Sequence, residues 1–415
     1  MFDRPPREPE WLSWLFVVVW SAAIYATIPF TRLLTSYVGD TWGREAFTYG
    51  VIAVIVLAAL AALVGLLRRP QTSTGGLLWL LAIAAVLVWL TLWLGAGSPE
   101  EALHFVQYGP LGLLLFRAFV HRIRDVSIYA AAAITGGIVG TVDEVIQWLT
   151  PGRYFGLHDV GLNFLAVALV QVAIAAGVRP AIISGWPDGA GLRRLCYLAA
   201  LAVAVLGLCL QNTPDRFAWY TARLPLLGPV LDGANVMVEY GYLYEDTEFG
   251  VFRSRLTMDA LRQADRTRAV AAAALLDRYR GREAYRDFLK AYPGWRDAFV
   301  YEARVHLYRR DAYVRYAAEA TDAARRDRRL AVAYRENRIV EKYFANLLAA
   351  SSYVWPADLR ADAGRAAATV DAPYDSAVSR ALLTRVSRQQ ALWVSVGLCL
   401  GLVLLGFALG RRVRP

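Results

Sequence analysis

Between residues 104 and 163 the chain carries nine polar side chains whose types and spacing suit chemistry: His104, Tyr108, Asp143, Glu144, Gln147, Arg153, His158, Asp159 and Asn163. His104 and Tyr108 stand four residues apart, as do Asp143 and Gln147, and Asp159 and Asn163. Residues at that spacing share a helix face. Two kinds of chemistry fit. Arg153 ahead of a helix N-terminus suits an anion, because the guanidinium and the unpaired N–H groups of a first turn both favour phosphate or carboxylate. Glu144, Asp143 or His104 suits general-base work, a carboxylate doing so where burial lifts its pKa toward neutrality. The set therefore reads as catalytic His104, Glu144 and Asp143, with Tyr108, Gln147, Arg153, His158, Asp159 and Asn163 binding the ligand. The spacing of His104, Asp143, Glu144 and His158 is no metal signature, so neither metal nor cofactor is expected. Each residue alone has a plainer reading. Asp159 or Asn163 suits a helix cap, Gln147 a bond between helices, and Tyr108 or His104 an interfacial position. Matched depth on three consecutive segments is what favours a site.

The elements that must position these groups are hydrophobic. The 415-residue chain is 57% apolar and its mean hydropathy is +0.35. The apolar residues fall in blocks, which points to an all-α polytopic membrane protein. A spanning helix takes roughly 20 apolar residues. Eight segments qualify, at about 11–30, 48–67, 77–96, 99–119, 127–149, 160–178, 194–211 and 390–410. The first has no small-residue cleavage site and reads as a retained span. Cys196, Cys209 and Cys399 all fall in apolar runs and form no disulfide framework.

The net charge of +10 does not imply nucleic acid, because much of the basic excess flanks the apolar segments. One set of short loops holds Arg4, Arg7, Arg68, Arg69, Arg122, Arg124, Arg179, Arg193, Arg194, Arg411, Arg412 and Arg414. The other set holds only Arg32, Arg44 and Arg153. Cytoplasmic loops collect Arg, so both termini are expected in the cytoplasm, with 212–389 and the loop around Arg153 outside. The domain reading is six spans in 1–180, a loop and seventh span in 181–211, an extracytoplasmic domain in 212–389, and the last span with a basic tail in 390–415.

On this topology the fourth segment starts outside. Ser98 reads as its N-cap, Pro99 as its first helical residue, and Glu101 as the partner in a capping box. His104 then lies about 9 Å along the helix, at 1.5 Å per residue. The fifth segment runs outward and stops at Thr150-Pro151-Gly152. The sixth starts with Asp159 as N-cap and Asn163 one turn in. Ionisable groups inside a membrane are expensive and face a bundle interior or a wet cavity, so the three polar faces are expected to converge.

The same residues carry a resemblance. "HFVQYGPLGLLLF" at 104–116 and "DEVIQWLTPGRYFGLHDVGLN" at 143–163 resemble the VanZ-like family of bacterial membrane proteins. The family pattern maps onto His104, Phe105 and Tyr108, then Glu144 and Gln147, then Gly152 and Arg153, then Asp159 and Asn163. The likeness spans roughly residues 15–178. Asp143, His158 and residues 180–415 lie outside the pattern. The resemblance implies a multi-pass protein of the bacterial inner membrane and cell envelope, linked to tolerance of glycopeptide antibiotics such as teicoplanin. An outward pocket at bilayer height would meet membrane lipids or a lipid-linked envelope precursor. The alternative is a scaffold in which the polar cluster locks the bundle and the outer domain meets an envelope protein. Proton-coupled transport would want carboxylates nearer the bilayer midplane.

In the outer segment, 236–253 is rich in Tyr, Val and Phe and reads as a short hairpin. From about 257 the apolar spacing is helical, broken at Pro293-Gly294 and Pro356, with a weak tetratricopeptide-like flavour. Glu239, Glu245, Asp246 and Glu248 form an acidic cluster suited to a cation or a solvated loop. His306 reads as a packed histidine, and Arg325–Arg329 as a solvated helix face.

Overall fold

The computed structural model describes residues 6–68, 73–151, 153–224 and 236–411. Arg4, Arg69, Gly152, Arg412 and Arg414, named above, lie outside the described residues, as do the side chains of Arg32 and Arg411. The chain divides into two units. One holds residues up to Gln211 together with the last helix from Leu392; the other holds Asn212–Leu224 and Val238–Ala391.

The first unit contains α1 (Glu10–Thr27), α2 (Thr31–Trp42), α3 (Glu45–Leu67), α4 (Thr74–Gly95), α5 (Leu103–Phe119), α6 (Ser127–Leu149), α7 (Leu157–Val172) and α8 (Gly189–Leu210). The second contains α9 (Pro214–Thr221), strands β1 (Tyr242–Asp246) and β2 (Gly250–Ser254), and helices α10 (Met258–Arg278), α11 (Ala284–Ala291), α12 (Ala298–Ala318), α13 (Ala323–Tyr343), α14 (Ala345–Ala350) and α15 (Ala357–Ala368). The last helix, α16, runs Arg388–Arg411.

Among the described residues seven helices are long and apolar enough to cross a membrane: α1, α3, α4, α6, α7, α8 and α16. Their outer faces are apolar. Leu57 on α3, Trp89 and Trp93 on α4, and Leu404 and Phe407 on α16 are all exposed. Contiguous apolar surface of that kind suits lipid, not water. The expected fourth span is present in a different form. A 3₁₀ turn over Pro99–Ala102 precedes α5, which has 17 residues, short of the usual span. The polar residues at its start are the reason, because they end the apolar run.

The core of this unit is built from α1, α5, α6 and α7 around Phe105, Leu111, Leu115, Ala132 and Val167. Glycines set the close approaches. A Cβ on Gly76 of α4 would meet the Gly177 carbonyl at 2.6 Å, and one on Gly207 of α8 would meet Ser395 Cβ of α16 at 2.9 Å. Asp188 caps α8 by accepting from the Gly191 N–H at 2.7 Å. The start of α1 is tied to the end of α5: Glu8 accepts from Arg117, Arg122 Nε reaches Glu10 at 2.6 Å, and Ser13 Oγ meets His121 Nε2 at 3.1 Å. At its other end α1 meets α5 and α6, where Trp20 Nε1 donates to the Gln107 carbonyl at 2.8 Å and Tyr25 Oη to the Val139 carbonyl at 3.0 Å.

In the second unit the expected hairpin is present, with β1 and β2 antiparallel in register from Tyr242–Ser254 to Asp246–Gly250. Beside it runs the segment leading to α16. Val251 N–H donates to the Tyr374 carbonyl at 2.8 Å, and Leu383 N–H to the Glu239 carbonyl at 3.0 Å. The polypeptide therefore enters and leaves the helical part side by side. Helix lengths of 21, 8, 21, 21, 6 and 12 residues from α10 to α15 give no repeating hairpin of one size. Phe249, Phe252, Phe288, Phe299, Leu307 and Phe344 are among the buried side chains of one apolar core.

Gly250 is required where the hairpin meets Tyr374. Its φ is 101°, and a Cβ would lie 2.3 Å from the Tyr374 carbonyl oxygen. Gly250→Ala should cost roughly 2 kcal/mol, the scale of a strained left-handed non-glycine residue. Urea denaturation of the purified protein measures it; a midpoint unchanged from wild type would show that this contact opens without cost.

Candidate functional site

The three helices that carry the polar set pack against one another through glycine. A Cβ on Gly140 of α6 would sit 2.5 Å from Asn163 Cβ, and one on Gly136 would sit 2.6 Å from a Val167 methyl. Small residues four apart on α6 thus let α7 lie almost on its backbone. That approach fixes Asn163, which is fully buried. Its Nδ2 donates to the Gly140 carbonyl at 3.5 Å, and its Oδ1 stands 2.7 Å from His104 Nδ1 on α5. An amide oxygen only accepts, so Nδ1 carries the proton and Nε2 of the neutral ring is left as acceptor. Asn163 therefore holds His104 in the tautomer a base needs.

Glu144 is fully buried and committed to its neighbours. It accepts from Gln147 Nε2 at 2.6 Å and from the Gly156 N–H at 2.9 Å. Gln147 Oε1 accepts in turn from Arg153 Nη2. This chain of bonds fastens the turn after α6 onto α6 itself. The fit at Gly156 is close: a Cβ there would lie 2.8 Å from Asp159 Oδ2 and 3.4 Å from Glu144 Oε2.

Asp143 is 3% exposed. Its Oδ2 receives Gln147 Nε2 at 3.5 Å, while its Oδ1 is buried with no hydrogen-bond partner. Behind it lies Tyr108, also fully buried, whose hydroxyl has no partner either.

A cavity of about 250 Å³ opens against this cluster. His104, Asp143, Gln147, Arg153 and Asp159 line it. Tyr108, Glu144 and Asn163 do not reach its wall and act from behind through the bonds just given. His158 stands apart: it is exposed and faces Glu101 at 3.5 Å. The opposite wall was not foreseen. Thr27 at the end of α1, Thr31 at the start of α2 and Gln107 on α5 complete the lining. Thr27 and Thr31 sit some 75 residues before His104, at the end of an otherwise apolar run, with no spacing to connect them to the motif.

Two capping expectations are corrected. The Ser98 side chain makes no capping bond; the turn there is 3₁₀, and the Glu101 N–H goes to the Ser98 carbonyl at 3.0 Å. Helix α7 starts at Leu157 with Gly156 in the cap position, two residues before Asp159. Asp159 sits in the first turn, where its charge favours the helix dipole without capping. The expected end of α6 at Thr150 is present, with Thr150 extended.

The acidic cluster of the second unit is dispersed among basic partners. Arg255 Nε holds Glu239 at 2.9 Å, Lys342 holds Asp246 at 2.6 Å, and Arg338 Nε holds Glu248 at 2.7 Å. Partial burial works against the charged form of Asp246, but bonds from Lys342, the Glu248 N–H and Tyr343 outweigh it and hold the carboxyl below its ordinary range. Arg326 pairs with Asp362, Arg325 with Asp322, and Arg329 donates to the Tyr316 carbonyl, so that run is spent on its own fold. His306 is buried against Glu336, Nδ1 to Oε2 2.6 Å.

Comparison with family models, with characterised proteins and with solved structures finds no match for this chain, so the reading of the cavity rests on its own geometry.

Proposed function

We propose that the chain is a VanZ-like protein of the bacterial cell envelope whose cavity binds the phosphorylated headgroup of a membrane lipid or lipid-linked precursor, with a link to glycopeptide tolerance. The supporting observation is one cavity that joins Arg153, held by Gln147 just ahead of α7, to His104 and Asp143. A guanidinium beside a helix start favours phosphate oxygens. The Arg117–Glu8 and Arg122–Glu10 pairs mark the end of the bundle remote from this cavity. Arg-rich ends face the cytoplasm, so the cavity opens outward and both termini lie inside. If binding leads to turnover, the base is His104 through Nε2. Glu144 is already committed to Gln147 and Gly156.

The second reading is a structural lock, with the chain displaying its helical domain to an envelope protein. It is favoured by how many of the polar groups bond one another, as in Gly156–Glu144–Gln147–Arg153 and His104–Asn163. Exchange of a labelled phospholipid into the detergent-purified protein separates the two. For a headgroup site, Arg153→Ala keeps its melting temperature within a few degrees and binds about tenfold more weakly, a loss of about 1.4 kcal/mol. For a lock, the variant melts early and its folded fraction binds as wild type does.

A further inference from the structure

We propose that the ligand of this cavity pairs its phosphate with a protonated amine, that is, a zwitterionic headgroup of the phosphoethanolamine type. The proposal rests on the headgroup reading above and adds to it the partner of Asp143.

The charges lining the cavity are unequal. Among the described residues on its wall, Arg153 is the one guanidinium and faces four carboxylates, Glu100, Glu101, Asp143 and Asp159. Two of the four are engaged outward. Glu100 holds Arg44 through both oxygens at 2.8 Å, and Glu101 faces His158 at 3.5 Å. A purely anionic ligand would meet the remaining acidic groups without compensation.

Asp143 supplies the second observation. Its side chain is 3% exposed, it lines the cavity, and its Oδ1 accepts from no donor. A buried oxygen left bare costs its full desolvation, so a ligand that brings a donor there gains what the apo fold lacks. Gln147 Nε2 reaches Oδ2 and Glu144 Oε1, not Oδ1. A primary ammonium carries three donors and no acceptor. One N–H answers Asp143 Oδ1, and the hydroxyls of Thr27 and Thr31 on the facing wall can accept the others. Arg153 holds the phosphate at the other side of the same space. A quaternary ammonium has the charge but no N–H, so it leaves Oδ1 bare.

The test is native mass spectrometry of the full-length protein titrated with phosphatidylethanolamine, phosphatidylglycerol and phosphatidylcholine of identical acyl chains. Phosphatidylethanolamine should bind at least about tenfold more tightly than either other lipid. Asp143→Asn should erase that preference and leave phosphatidylglycerol binding unchanged, while Arg153→Ala should weaken all three. Should Asp143→Asn fail to fold, the three-lipid comparison on wild type still decides. Equal binding of the three lipids by wild type overturns the amine inference and leaves the headgroup reading standing. Arg153→Ala binding all three as wild type does overturns the headgroup reading itself. Calorimetry with free O-phosphoethanolamine assigns the source. Binding without lipid supports the same chemistry for a soluble ligand; binding seen only with the lipid supports it for the membrane.

Discussion

Replacing Glu336 with Ala should destabilise the helical domain by about 3–5 kcal/mol, the cost of removing one partner from a buried charged network. Glu336 is fully buried on α13 and gathers donors from four places. His306 Nδ1 approaches at 2.6 Å, Arg309 Nε at 2.8 Å and Ser376 Oγ at 2.9 Å, with Tyr374 Oη on the same oxygen as Arg309. Two of these groups, on α12, and two, in the segment leading to α16, meet only through this carboxylate. Truncation strands all four at once. Burial alone would lift the pKa of Glu336, but the charge and hydrogen bond of His306 and the bonds of Tyr374 and Arg309 outweigh it and hold the carboxyl below its ordinary range. A lowered folded-state pKa means that the stabilisation is complete at neutral pH and is lost as pH falls through that folded value. Glu336→Gln keeps the shape and removes the ionisation, so it should be less stable than wild type at pH 7 and should flatten the acid limb. Near-ultraviolet circular dichroism across urea and pH reads both. An Ala variant within 1 kcal/mol of wild type, by the scale of a surface pair, would contradict the account.

Gly140→Leu should dismantle the cavity while leaving the apolar character of α6 intact. A Cβ at Gly140 would overlap Asn163 Cβ at 2.5 Å and crowd its Nδ2 at 3.2 Å. The two helices must part, and the Asn163 contacts to Gly140 and His104 part with them. Overpacking of this kind typically costs 1–3 kcal/mol, and here it also releases the His104 ring. Gly161 on α7 is the control, because nothing lies within 4 Å of a Cβ there. Gly161→Leu should melt and bind lipid as wild type does, whereas Gly140→Leu should melt several degrees lower and lose headgroup binding. Equal behaviour of the two variants would mean that the α6–α7 approach does not build the site.

Much of the site was legible because polar residues stand out against apolar segments. His104, Asp143, Gln147, Arg153 and Asp159 were named from type and spacing, and one cavity gathers them. The distinction between lining and supporting residues was not legible. Glu144 reads as a base on sequence, yet only the fold shows its carboxylate filled by Gln147 and Gly156. His158 is adjacent to Asp159 in the chain, but α7 starts early enough to point it at Glu101. The Thr27–Thr31 wall depends on how the end of α1 is laid against α5, which no local pattern encodes. The Gly136–Gly140 spacing was open to reading as a helix–helix contact and was missed among so many small residues. In the second unit the hairpin and the helical breaks followed from composition. The pairing of 374–383 beside the hairpin did not, because it joins segments more than 120 residues apart.

The central claim is that the polar cluster is a headgroup site. It is tested most directly by native mass spectrometry of the purified wild type beside a Glu144→Gln, Arg153→Ala double variant. The account predicts a phosphorylated lipid retained by the wild type and absent from a variant that is still folded. The same lipids on both proteins would contradict it and leave the cluster as the lock that holds three helices together.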